Sequence, residues 1–191
     1  MKKILKNNKQ FITFLLVLFI VSFALSIIYF SFLTDEVKES IQISLKSNSI
    51  YNYNKIINDL IIMSVLLITS FFIIGSPLSI IYLVYDFFSV GFLLMIHNYT
   101  YGIGGIVFIL IYIFLNKFIF YILYSIFIKR LIKISILVFK KIAIKQEFTN
   151  NNRLVSNFTS SLYLILIVLI YNVLLYILNP FVLNKLAYLI K

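Results

Sequence analysis

Long apolar runs constrain this chain more than any other feature. The stretch 75–128 contains two such runs, joined by the short polar segment 97–102. About 20 consecutive apolar residues are enough for one helix to cross the hydrocarbon core of a bilayer. The stretch therefore predicts a membrane hairpin, with any polar residue inside it as a first candidate for specificity.

Composition agrees with a membrane location. The 191 residues are 62% hydrophobic and only 12% charged, with a mean hydropathy of +1.06, which exceeds the apolar usage of soluble domains. The length allows about five crossings and leaves no room for a separate soluble catalytic domain. Because the chain has no cysteine, disulfides, thiolate nucleophiles and cysteine-based metal sites are excluded.

The predicted fold is all-α, a single membrane domain over 1–191 with five transmembrane helices. The spans are expected at about 11–33, 60–74, 78–96, 103–128 and 158–178. Gly75 and Pro77 favour a turn after the short second span, with a kink as the alternative. Asn179 and Pro180 are expected to end the last span, with a short helix after them.

Two polar regions separate the predicted spans. The loop 34–59 is expected outside the cell, with a helix that begins after Thr34; it is either a partner-binding surface or a solvated connector. The segment 129–153 is expected inside, as an amphipathic helix on anionic lipid or as an extension of span four. Its helical part contains six basic residues: Lys129, Arg130, Lys133, Lys140, Lys141 and Lys145. The interleaved apolar residues favour lipid over nucleic acid as the partner.

Lysine and arginine counts predict the orientation. A cytoplasmic N-terminus places eleven basic residues inside and five outside, which satisfies the positive-inside rule. The C-terminus is then expected outside, in a multi-pass protein of the cell membrane.

Four residues with charged or amide side chains lie within the predicted spans: Asp86, Asn116, Lys117 and Asn172. Asp86 and Lys117 are expected at similar depth on neighbouring antiparallel helices, so they could form an ion pair. Alternatively, Lys117 extends to the membrane surface and Asp86 is protonated. Asn172 is expected to hydrogen-bond a neighbouring helix, and His97 to lie at the membrane interface.

No catalytic pattern is evident in the sequence. The chain has one histidine and six acidic residues, without a metal-binding His pair, a nucleophile elbow or a phosphate-binding loop. We therefore expect no cofactor, no metal and no enzymatic activity. Glycines in the spans are better explained by close helix packing, and Gly91, Gly102 and Gly105 are expected to tolerate larger side chains poorly.

The order of these features resembles the stage II sporulation protein M family. A basic N-terminus and one span precede an outer loop; then come Gly75 and Pro77, Gly91, the glycines at 102 and 105, a basic stretch and a last span. The segment 115–120 lacks the proline and the acidic residue that family members usually carry in span four.

The resemblance implies a polytopic protein without catalytic activity. Such a protein holds cell-wall hydrolases at the septal membrane during engulfment in sporulation, so the implied partners are secreted or membrane-anchored enzymes that degrade peptidoglycan. One alternative is a small permease or transporter subunit that uses Asp86 and Lys117. Another is a lipid-sensing protein that acts through 129–145.

Overall fold

Helices form all of the regular structure that the computed structural model describes, which covers residues 2–47, 54–72, 74–143 and 151–186. The all-α prediction is confirmed for these residues. There are five α-helices and one 3-10 turn: α1 (Lys2–Phe32), α2 (Asp35–Ser47), α3 (Asn54–Thr69), the turn Ser70–Phe72, α4 (Gly75–Ala143) and α5 (Asn151–Leu186). Lys145 and the interior of the predicted outer loop, 48–53, lie outside the described residues.

Three of these helices contain segments long and apolar enough to cross a membrane, within the described part of the chain. The segments are Lys9–Phe32, Gly75–Ile142 and Asn152–Val182, and Ile57–Phe72 is a shorter apolar helix. Most of their surface is not buried inside the protein, as lipid-facing helices require. The long apolar helices agree with the predicted membrane location.

The chain reverses direction inside α4, at Gly102. Gly102 has φ 61° and ψ −143°, a backbone conformation that a side chain makes unfavourable. The backbone of Gly105 comes so close to the His97 carbonyl that a Cβ at 105 would overlap it. The rings of His97 and Phe108 stack with centroids 6.2 Å apart, whereas eleven residues of straight helix would separate them by about 16 Å. The predicted reversal at this glycine-containing segment is therefore confirmed.

The reversal divides α4 into arms of 27 residues (75–101) and 41 residues (103–143). At a rise of 1.5 Å per residue, their lengths are about 40 Å and about 60 Å. Tyr124 Oη donates to the Ser79 carbonyl at 3.2 Å and joins the two arms. The midpoint of this pair in the sequence falls within one residue of Gly102, as antiparallel arms require. The second arm also contacts the 3-10 turn before α4, where Ser135 Oγ donates to the Ser70 carbonyl at 3.1 Å.

The chain divides into two compact units. The first comprises Met1–Asn48, Tyr82–Leu110 and Leu189–Lys191, and the second comprises Ser49–Ile81 and Ile111–Tyr188.

In the first unit, α1 packs on α4 through small and aromatic side chains. Ser26 lies directly against Gly91, where a Cβ would overlap the serine hydroxyl. Phe19 and Phe87 meet edge to face at 5.1 Å, and Phe30 contacts Phe92 at 5.8 Å. Close approach at Gly91 thus allows the aromatic rings to interdigitate, as the sequence predicted for this glycine.

The helix α2 follows α1 after a short break and begins as predicted. The Thr34 carbonyl accepts the first helical bond, from the Lys38 amide at 3.1 Å, and Asp35 and Glu36 occupy the first turn, where carboxylates favour the helix dipole. Lys38 Nζ lies 3.2 Å from Asp35 Oδ1 and 5.8 Å from the Phe30 ring centroid. These contacts connect α2 to the end of α1.

In the second unit, the chain turns sharply between α3 and α4. Gly75 lies so close to the backbone of Leu66 and Ser70 that a Cβ would overlap both. Pro77 occupies the first turn of α4, where a missing N–H costs no hydrogen bond. Of the two alternatives at Gly75 and Pro77, the structure therefore has the turn.

The last two helices are longer than the sequence indicated. α4 continues through the basic segment to Ala143, so the extension of span four is the arrangement observed, and Leu131 and Ile134 on this extension are fully buried. The prediction that Pro180 ends the last span is wrong, because α5 continues through Pro180 to Leu186. A proline inside a helix removes one backbone hydrogen bond, a loss that membrane helices often tolerate.

We expect Gly105→Ala to destabilise the protein by about 1–3 kcal/mol, the usual cost of overpacking, because the new methyl group would overlap the His97 carbonyl. Thermal unfolding in detergent measures the effect. Ile103→Ala is the control, since Ile103 is 79% exposed and should change stability by less than about 0.5 kcal/mol. Equal stability of the two variants would contradict the close approach.

Candidate functional site

Polar side chains of α3, α4 and α5, three of them buried and four half-buried, gather within the second unit. We call this group the polar cluster; it comprises Asp59, Tyr112, Asn116, Lys117, Tyr171, Asn172 and Asn179. In an apolar environment each such group needs a partner inside the protein.

The first contact of the polar cluster is a reciprocal amide pair. Asn179 Nδ2 donates to Asn116 Oδ1 at 2.7 Å, and Asn116 Nδ2 donates to Asn179 Oδ1 at 3.3 Å. Asn116 Nδ2 also donates to the Tyr112 carbonyl at 2.9 Å, one turn earlier on α4. The pair joins α4 to α5 and places Asn179, next to the helical proline, against a polar partner.

The second contact joins α3 to α5. Asn172 Nδ2 donates to Asp59 Oδ2 at 3.2 Å, and both side chains are buried. The prediction that Asn172 hydrogen-bonds a neighbouring helix is confirmed. The predicted outer loop 34–59 includes Asp59, and this part of the prediction is wrong. α3 already begins at Asn54 and buries the Asp59 carboxylate against α5.

A tyrosine and a lysine complete the polar cluster. Tyr171 Oη donates to the Leu115 carbonyl at 2.6 Å, which adds a second link between α5 and α4. The Tyr112 side chain interacts with the charges of both Lys117 and Asp59. Lys117 Nζ lies 5.6 Å from the Phe120 ring centroid and 6.0 Å from that of Tyr121, within the range of cation–π attraction.

Asp86 and His97 are the buried ionisable residues of α4 in the first unit. Asp86 is 7% exposed, and its depth in a membrane stays a prediction. Because Asp86 belongs to the first unit and Lys117 to the second, their ion pair stays a prediction.

His97 is 2% exposed, because the reversal at Gly102 places Phe108 over its ring. Its place at the membrane interface stays a prediction. Its Nδ1 lies 2.8 Å from the Leu93 carbonyl and must donate to it. In the neutral ring Nε2 is then the unprotonated nitrogen, and Nε2 has no hydrogen-bond partner among the described residues.

The predicted basic residues separate into two groups. Lys129 and Arg130 are half-buried near the core of the second unit, whereas Lys133, Lys140 and Lys141 are exposed. Within α4, the exposed basic residues of this segment therefore begin at Lys133.

The sequence analysis does not identify Asp59, Tyr112, Tyr171 and Asn179 as members of the polar cluster. The pattern places Asp59 in the loop because it lies between polar and apolar residues, and the proline after Asn179 predicts a helix end there. One signal was available for Asn179: it lies seven residues after Asn172, two helical turns, and therefore on the same face of α5.

We expect a double-mutant cycle on Asn116→Ala and Asn179→Ala to show a coupling energy of about 1 kcal/mol, because each single variant leaves the other buried amide without its partner. Unfolding in detergent measures the cycle. Asn58→Ala, an exposed position on α3, should be additive with Asn179→Ala. Additivity within the Asn116–Asn179 cycle would contradict the reciprocal pair.

Comparisons with protein-family models, with curated proteins and with solved structures found no match to this chain.

Proposed function

We propose that the chain is a five-span, multi-pass protein of the cell membrane and that it acts as a non-enzymatic scaffold. The apolar segment Gly75–Ile142 is 68 residues long, which is about 100 Å of helix, against a hydrocarbon core of about 30 Å. Its reversal at Gly102 supports two crossings within α4, and α1, α3 and α5 supply three more. The surplus of basic residues supports a cytoplasmic N-terminus and an external C-terminus.

The contacts that polar side chains make between helices support the scaffold role. Asn116 pairs with Asn179 and Asn172 with Asp59, so each amide–partner contact holds two helices together. Such contacts stabilise a fixed arrangement of helices, which a scaffold requires.

The observation that carries the proposal is the exposed apolar surface of α2. Lys38, Ile41 and Gln42 are partly buried on one side of this helix, and two apolar residues away from that side, Val37 and Ile43, are exposed. Val37 is 42% exposed and Ile43 68% exposed, each among exposed polar residues of α2. An apolar side chain exposed among polar ones gains burial when a partner protein covers it.

The proposed partners are peptidoglycan hydrolases with domains outside the cell, which the scaffold would localise at the septal membrane during engulfment in sporulation. This part of the proposal depends on the resemblance to the stage II sporulation protein M family. With α1 crossing outward, α2 would lie outside the cell, where such domains are accessible.

We expect Val37→Ser combined with Ile43→Ser to reduce co-purification of the hydrolases by about tenfold, a loss of about 1.4 kcal/mol. Purification of the tagged protein in mild detergent, followed by quantitative mass spectrometry, measures the recovery. The control is Val155→Ser, which removes an exposed valine from α5. Full recovery with the α2 variant, at equal expression, would contradict the proposed partner surface.

A small permease or transporter subunit is the second candidate, and Asp59 favours it. A carboxylate buried among apolar helices is a common element of proton pathways, and Asp59 adds to Asp86 as a second such group.

Asp59→Asn discriminates the two functions, because an amide keeps an acceptor for Asn172 but cannot exchange a proton at neutral pH. For a scaffold we expect unchanged hydrolase recovery and no proton flux for either protein, measured with a pH-sensitive dye in liposomes. A proton flux in the unsubstituted protein that Asp59→Asn abolishes would favour the permease instead.

A further inference from the structure

An open cavity lies between the end of α4 and the beginning of α5, within the second unit. Its volume is about 610 Å³, and among the described residues no acidic side chain lines it. α4 contributes Lys133, Ile136 and Leu137, and α5 contributes Asn152, Arg153 and Ser156. One cationic side chain from each helix therefore faces a shared cavity.

The polar lining suits a phosphate group. Lysine and arginine bring full positive charges, and the side chains of Asn152 and Ser156 provide hydrogen-bond donors. Asn152 and Arg153 also belong to the first turn of α5, a 36-residue helix whose N-terminal dipole favours an anion. The charges, the donors and the dipole all favour a negatively charged group.

The apolar surroundings suit a lipid better than a soluble anion. Ile136 and Leu137 line the cavity beside the two cationic residues. Along α5, the exposed residues Tyr163, Ile167 and Leu174 lie on the same helical face as Ser156, within the apolar segment Asn152–Val182. A molecule bound here could place a charged head in the cavity and acyl chains along α5.

We propose that this cavity binds the head group of an anionic phospholipid, with Lys133 and Arg153 contacting the phosphate. Basic cavities between membrane helices at the cytoplasmic surface are a known form of lipid recognition. The proposal depends on the membrane location but not on the scaffold function. It assigns lipid binding to a site built by two helices, instead of to the basic segment of α4 alone.

The test is native mass spectrometry of the full chain in neutral detergent, titrated with phosphatidylglycerol or phosphatidylcholine. We expect the unsubstituted protein to prefer phosphatidylglycerol, and Lys133→Gln with Arg153→Gln to weaken that binding by about tenfold, equivalent to about 1.4 kcal/mol. Lys140→Gln with Lys141→Gln is the charge-matched control, because these exposed lysines lie on the same helix but do not line the cavity.

A second variant tests the cavity without changing its charge. Ser156→Trp fills the space between the helices and should also abolish the preference for phosphatidylglycerol. Circular dichroism confirms that each variant is helical. Equal losses of phosphatidylglycerol binding in the Lys133→Gln, Arg153→Gln variant and in the lysine control would overturn the site and favour diffuse electrostatic attraction. Undiminished binding by Ser156→Trp would also overturn the site.

Inorganic phosphate distinguishes the two sources of a phosphate group. If an excess of inorganic phosphate at constant ionic strength displaces phosphatidylglycerol, the ligand is a soluble phosphate and the lipid proposal fails. Hydrolase recovery is measured independently, so failure of lipid binding and failure of the scaffold function remain distinguishable.

Discussion

An apolar interior supplies few hydrogen-bond partners, and this constraint governs how the second unit is built. Most buried polar side chains there find a partner on another helix or on their own backbone, although the buried Nε atom of Arg130 has none among the described residues. Asn116 and Asn179 satisfy each other, and Asn172 satisfies the buried carboxylate of Asp59. α3, α4 and α5 are thus connected at defined positions, whereas apolar contacts alone would allow them to slide or rotate.

Glycines allow the backbone to approach where these helices turn and cross. Gly102 adopts a conformation that side chains disfavour, and Gly105 then fits against the His97 carbonyl, so α4 can fold back within a few residues. Gly75 brings the start of α4 against α3 in the second unit, and Gly91 brings α4 against Ser26 in the first. The space that glycines leave for close backbone approach, more than strong attraction between side chains, therefore determines where the chain reverses and where its helices pack.

The polar residues of this protein serve different purposes according to their exposure. Inside the second unit they connect helices, which suits a fixed support for other proteins. Between the end of α4 and the beginning of α5, Lys133 and Arg153 are accessible beside the cavity in which we propose that a lipid phosphate binds. On α2, the apolar residues Val37 and Ile43 are exposed among polar ones. The proposed scaffold would use the helix contacts for a fixed arrangement, the cavity for lipid and α2 for partners.

The sequence by itself determined the helical class, the long apolar helices, the start of α2 after Thr34 and the chain reversals at Gly75 and Gly102. These features depend on the length of each apolar run and on local backbone preferences, both of which are determined by residues close together in the sequence. It also predicted that Asn172 would bond another helix. Only the tertiary structure decided that its partner is Asp59, 113 residues away, and that Asn179 pairs with Asn116 across 63 residues. The same holds for the continuation of α5 through Pro180 and for the cavity beside Arg153, because helix faces meet only after the chain has folded, and no local pattern encodes which faces those are.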